Sequence, residues 1–131
     1  MVINMAHILL VDDDTNVLLT LAIALRRQKH DVAVAQSGWK ALELLHRQTF
    51  DFLISDVSMP GMTGIELAQR VQKMSNSPIV ILTSALDVET SETVANHFMP
   101  KPVDVVQLNE MLIADLATHN HIIRMSDKTA H

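Results

Sequence analysis

Short apolar runs alternate with longer segments of helical periodicity along most of this chain, and that alternation limits what it can fold into. His7–Val11, Val32–Ala35, Phe52–Ser55, Ile79–Leu82 and His97–Met99 read as five strands. The first and third are almost continuously apolar, the pattern of strands buried on both faces. Helices are predicted over Thr15–Gln28, Gly38–His46, Ile65–Met74 and Asp87–Ala95, with a last one from Asp104 to about Leu116. Ser37 is placed to cap the second helix, and the Pro and Gly of Met59–Gly64 mark a loop. Val17, Leu21, Ala24, Leu25 and Gln28 define the inward face expected of the first helix; Trp39, Leu42 and Leu45 define that of the second. Five strands alternating with five helices specify an α/β sandwich around a mostly parallel sheet, with helices on both faces.

In such sheets, sites form beyond the carboxyl ends of the strands, where the strand order reverses. Charged and hydroxyl residues fall at those ends here. Asp12 and Asp13 close the first strand, Asp56 the third, Thr83 the fourth, and Lys101-Pro102 the fifth. Two unit charges about 5 Å apart repel by roughly 3 kcal/mol at an effective dielectric near 20. Carboxylates at neighbouring strand ends therefore call for a hard divalent cation with oxygen ligands, and a nearby lysine would hold a further anion. That combination is the chemistry of a phosphate-accepting aspartate.

Composition excludes several other classes. A chain of 131 residues, 48% hydrophobic and 19% charged, is long enough for one domain with a real core. Its net charge of −5 and 3% aromatic content give neither a basic nucleic-acid footprint nor a stacking platform. There is no cysteine, so no disulfide scaffold or thiolate site, and a reducing cytoplasm is the expected setting. No apolar run reaches membrane-spanning length, and residues 1–6 lack the features of a signal peptide.

Four segments carry a resemblance to a known family. They are Leu10-Val11-Asp12-Asp13-Asp14, the stretch from Asp51 to Gly64 around Asp56, Ile81-Leu82-Thr83-Ser84-Ala85, and Phe98-Met99-Pro100-Lys101-Pro102. In this order and on these elements, they resemble the receiver domain of bacterial two-component response regulators, from about Ala6 to Leu116. The resemblance implies a flavodoxin-like, doubly wound sheet of five parallel strands in the order 2-1-3-4-5 with five helices. It also implies a single receiver domain over residues 1–131, its core about 6–116 and its carboxyl-terminal extension 117–131. Thr83 to Lys101 is shorter than is usual in the family by about one helical turn, so the fourth helix is expected to be short.

The same resemblance implies roles. Asp56 would accept a phosphoryl group from a sensor histidine kinase or a histidine phosphotransfer protein. Asp13 and Asp56 would bind Mg²⁺ directly, Asp12 through a water, and the Ser58 carbonyl would complete the protein ligands. Lys101, its bond to Pro102 cis, and the Thr83 hydroxyl would hold the phosphoryl oxygens. Thr83 and Phe98 would form the switch, altering the face made by the fourth helix, fifth strand and fifth helix toward an output domain or partner. Such a protein is cytoplasmic, binds no nucleic acid or membrane directly, and is a monomer or a phosphorylation-dependent dimer. It catalyses only its own phosphoryl transfer and dephosphorylation, and is either a stand-alone regulator or the receiver of a longer protein.

Rival readings fit less well. Asp12, Asp14 and Asn16 suggest a calcium loop, but Val17 replaces the required Gly and Ile23 the bidentate Glu. A phosphatase with an aspartate nucleophile would want Thr where Asn16 stands, and a cap domain besides. In a flavin or nucleotide module, Asp12-Asp13-Asp14 would repel the phosphate. A receiver-like module that no longer takes phosphate is disfavoured because every motif residue is present. Taken singly, Asp12–Asp14 could be a helix cap, Asp56 a turn residue, and Phe98 a core residue. His119 and His121 lack a Cys or acidic companion and read as a solvated helix end.

Overall fold

A computed structural model describes residues 5–85 and 94–129, with side chains as far as 118. Five strands form one parallel sheet: β1 (His7–Val11), β2 (Asp31–Ala35), β3 (Phe52–Asp56), β4 (Ile79–Ser84) and β5 (His97–Pro100). Their order is β2-β1-β3-β4-β5, the doubly wound, flavodoxin-like order that the family resemblance implied. The helices described are α1 (Thr15–Arg27), α2 (Gly38–Arg47), α3 (Gly64–Gln72) and α4 (Val105–Thr129). The helix expected over Asp87–Ala95 falls chiefly on residues 86–93, outside the described residues, so the last helix is α4 here.

Alternation along each strand splits the core into two layers. Leu9, Val11, Leu53, Val80 and Leu82 pack with Ala41 of α2 and with Leu67, Ala68 and Val71 of α3. On the other face, Ile8, Leu10, Phe52, Ile54 and Ile81 pack with α1 and α4. The α4 anchors Leu108, Leu112 and Leu116 recur every fourth residue, one face of a helix, and all are buried.

Two inward faces differ from expectation. On α1 the buried residues are Leu18, Ala22 and Leu25, whereas Val17 and Gln28 are exposed. Residues 17–25 are apolar almost all round, so their periodicity leaves the rotational phase of the helix open. On α2, Trp39 is 58% exposed and Ala41 is buried. The close approach there belongs to Gly38, where an added Cβ would lie 2.6 Å from Met62 Sδ. Ala41 and the partly buried Leu42, Leu44 and Leu45 pack α2 on the core, and Gly38 meets Met62 of the β3–α3 connection.

Helix ends and cross-links fix the frame. Asp14, Ser37 and Thr63 cap α1, α2 and α3 through side-chain oxygens. The end of α1 is a Schellman turn: His30 N–H donates to Leu25 O, and Lys29 N–H to Arg26 O, with Lys29 at φ +71°. His30 Nδ1 accepts the Ala6 N–H at 3.0 Å, so its Nε2 carries the hydrogen that reaches Asn109 Oδ1 at 2.6 Å. His97 Nε2 lies 2.5 Å from Asp115 Oδ2 and ties β5 to α4. No helix among the described residues is long and apolar enough to cross a membrane.

Candidate functional site

The parallel register brings the polar strand ends into one place. Asp56, the last residue of β3, is aligned with Thr83 of β4, and the Val57 N–H donates to Thr83 O at 2.9 Å. Asp12 follows β1, its N–H donating to Ala35 O. Lys101 follows β5, its N–H donating to Ser84 O at 2.9 Å, and its peptide bond to Pro102 is cis, as the family resemblance implied. Strand ladders do not depend on side-chain polarity, which is why β3 and β4 run on through Asp56, Thr83 and Ser84 beyond the apolar runs.

Lys101 binds two carboxylates. Its Nζ donates to Asp12 Oδ2 at 2.7 Å and lies 3.1 Å from Asp56 Oδ2. Burial pulls the ammonium down, but its bonds to Asp12 and Asp56, with the charge of both, outweigh this and hold it above the ordinary 10.5. The remaining carboxylate oxygens are held by main-chain donors: Asp12 Oδ1 accepts from Asp14 N at 2.9 Å, and Asp56 Oδ1 from Ser58 N at 3.4 Å. Asp12, Asp56 and Thr83 are buried, whereas Asp13 and Ser58 are exposed. Asp14 turns away to cap α1, donated to by Asn16 N and Val17 N.

Asp12, Asp13 and Asp56 each present an oxygen within 4.8 Å of the others. Three carboxylates facing one ammonium leave a formal deficit of positive charge. Hard oxygen donors at that spacing suit a small divalent cation. The expected residues Asp12, Asp13, Asp56, Thr83 and Lys101 therefore converge, and Ser58 adjoins them through its main chain. Phe98 stands apart: it pairs with Leu82, one residue before Thr83, and is half-buried on the cluster that includes Leu82 and Val94.

Gly64 is a residue of this site that sequence reasoning missed, because it reads there only as loop content. A Cβ at Gly64 would lie 2.1 Å from the Asp56 carbonyl oxygen, and the Gly64 N–H donates to Val57 O at 2.8 Å. The amino end of α3 thus presses on the main chain of Asp56 and leaves no room for a side chain. A glycine directly after the capping Thr63 was the available signal, since no cap geometry asks for one there. A groove of 530 Å³ also opens beside Lys101, walled by Val17 and Leu21 of α1 and by Pro102, Val103 and Val105.

Fold and cluster define an open α/β sandwich with an acidic, lysine-bridged site at its switch point. The family model for the response regulator receiver domain matches residues 8–113, and the chain belongs to that family. It is 37% identical over 103 residues to the transcriptional regulatory protein AfsQ1 of Streptomyces coelicolor, covering 76% of this chain and 46% of the relative. With the transcriptional regulatory protein GlrR of Escherichia coli it shares 36% over 104 residues, 76% of this chain and 23% of the relative. The chain thus spans less than half the length of these curated relatives. Among solved structures, a CheY-like receiver from Methanospirillum hungatei matches in fold with TM-score 0.81 at 24% identity, covering 87% of this chain and 95% of that one. The response regulator TrrA of Thermotoga maritima, solved in complex with Mg²⁺-BeF, matches with TM-score 0.73 at 28% identity, covering 80% and 94%.

Proposed function

We propose that this receiver takes a phosphoryl group on Asp56 from the phosphohistidine of a sensor kinase or phosphotransfer protein. The observation that carries this reading is Lys101 reaching Asp12 and Asp56 together inside a three-carboxylate cluster. An Asp56 oxygen attacks phosphorus, the P–N bond breaks, and the imidazole nitrogen leaves with the bonding pair. The work of the protein is to position groups and stabilise charge, as in phosphoryl transfer generally. Asp13, Asp56 and the Ser58 carbonyl would hold Mg²⁺, with Asp12 acting through water, and the ion would neutralise charge on the phosphoryl oxygens. The Mg²⁺-BeF complex of TrrA supports the same assignment by analogy.

Lys101 and the Thr83 hydroxyl hold the remaining phosphoryl oxygens. Thr83 moves toward them, Phe98 adjusts beside Leu82, and the face around β5 and α4 changes for an output domain or partner. The apolar groove beside Lys101 receives the donor protein, because a donor must cover the site to bring its histidine to Asp56. No external substrate is turned over, and the setting is cytoplasmic. The test is incubation with acetyl phosphate and Mg²⁺, followed by intact mass. One labile phosphoryl adduct is expected, lost in Asp56→Asn or when the metal is chelated; an adduct that survives Asp56→Asn refutes the assignment.

A further inference from the structure

The chain's sole tryptophan lies outside the core and away from the acidic cluster. Trp39 of α2 is 58% exposed, and Arg70 of α3 stacks over it with Cζ 5.0 Å from the ring centroid. Together with Leu42, Glu43, His46 and Met74 they line a groove of 420 Å³ between the two helices. Tryptophan and arginine are the residue types most enriched where proteins bind tightly, and a stacked guanidinium keeps its N–H edge free for a carboxylate.

Charge says what covers this groove. The chain carries −5 overall, yet α2 and α3 with the Lys73 cap bear Lys40, Arg47, Arg70 and Lys73 against Glu43 and Glu66. Among the described residues, none of these four cations has a carboxylate within ion-pair distance; the ion pairs lie at Asp12, Asp31, Asp56 and Asp115. Of the four, only Arg70 lines the slot, while Lys40, Arg47 and Lys73 directly follow or precede the lining residues Trp39, His46 and Met74 in the chain, so the excess of positive charge lies on the two helices that flank it. Glu43, itself in the lining, offsets one of these charges, and Glu66 of α3 another, which leaves the two helices positive.

We propose that the α2–α3 groove docks an acidic segment of a partner protein. A carboxylate of the segment pairs with Arg70, and a neighbouring apolar side chain fills the slot between Leu42 and Met74. Four cations on two helices are too few and too interrupted for a nucleic-acid backbone, which favours a peptide over a polynucleotide. The inference does not depend on Asp56, and Asp56→Asn should bind as the wild type does.

The test is a random dodecapeptide display library panned against the full chain, with counter-selection on Arg70→Gln. The enriched peptides are then titrated by anisotropy and by the emission of Trp39. Expected are sequences pairing Asp or Glu with a large apolar residue, whose affinity falls about tenfold in Arg70→Gln and in Trp39→Ala. Both residues are exposed, so circular dichroism and melting should show both variants folded. Enriched peptides without acidic bias, affinity unchanged in either variant, or stronger binding of a single-stranded oligonucleotide by the same groove would each overturn the proposal.

Discussion

Replacing Gly64 by alanine should damage the site without touching any of its charged groups. The added Cβ would sit 2.1 Å from the Asp56 carbonyl oxygen, against the 3.0 Å below which such contacts are essentially never seen. Either the start of α3 or the end of β3 must therefore retreat by about 0.9 Å. Both are main chain, and both are bonded, Gly64 N to Val57 O and Val57 N to Thr83 O, so neither yields cheaply. Overpacking of this kind costs about 1–3 kcal/mol, and here the upper end applies because no flexible side chain can give way. A displacement near 1 Å at a reacting group reduces rate by about a hundredfold. Urea titration should thus show a loss of about 3 kcal/mol. Acetyl-phosphate labelling, followed by mass, should slow by about two orders of magnitude under conditions where the variant is folded. Gly61→Ala is the control: nothing lies within 4 Å of its Cβ, but φ is +80°, so it should lose about 1 kcal/mol and label normally. A Gly64→Ala protein with wild-type stability and labelling rate would refute the reasoning.

Further outcomes follow from the frame and the lysine. Lys29→Gly should stabilise by about 0.5–1 kcal/mol in urea, because the Schellman position at φ +71° strains a side chain and suits glycine. His30→Ala should destabilise by about 1–3 kcal/mol, since it strands the buried Ala6 N–H, and denaturant titration would show it. The raised value of Lys101 means that its contribution to stability is complete below the unfolded lysine value and is lost as pH rises through the folded one. Thermal melts should therefore fall above pH 10.5 more steeply in the wild type than in Lys101→Met. An equal decline in both would remove Lys101 from the account.

Much of the architecture is legible in the chain itself. The central strands β1, β3 and β4 announced themselves as short apolar runs, because central parallel strands are buried on both faces and need no alternation. The site was legible for a related reason: topology carries whatever ends or follows each strand to one edge, so Asp12, Asp56, Thr83 and Lys101 meet without any local motif requiring it. What escaped was anything set by distance and not by residue type. The phase of α1 depends on which of many apolar residues fit the sheet. Trp39 turns outward although it is the largest apolar residue of α2, while its neighbour Gly38 packs on Met62. Gly64 matters for an absent side chain, which composition cannot advertise.

Lys101 has one more consequence, at the level of linkage. Its ammonium already occupies oxygens of Asp12 and Asp56, so it is a built-in competitor for any cation that enters the cluster. Coupling between two bound charges is reciprocal: the lysine weakens the ion as much as the ion weakens the lysine. Cation affinity is then a difference between two occupants and not a sum of ligands. Neutralising the lysine should tighten metal binding, even as it loosens the strand ends that the lysine joins.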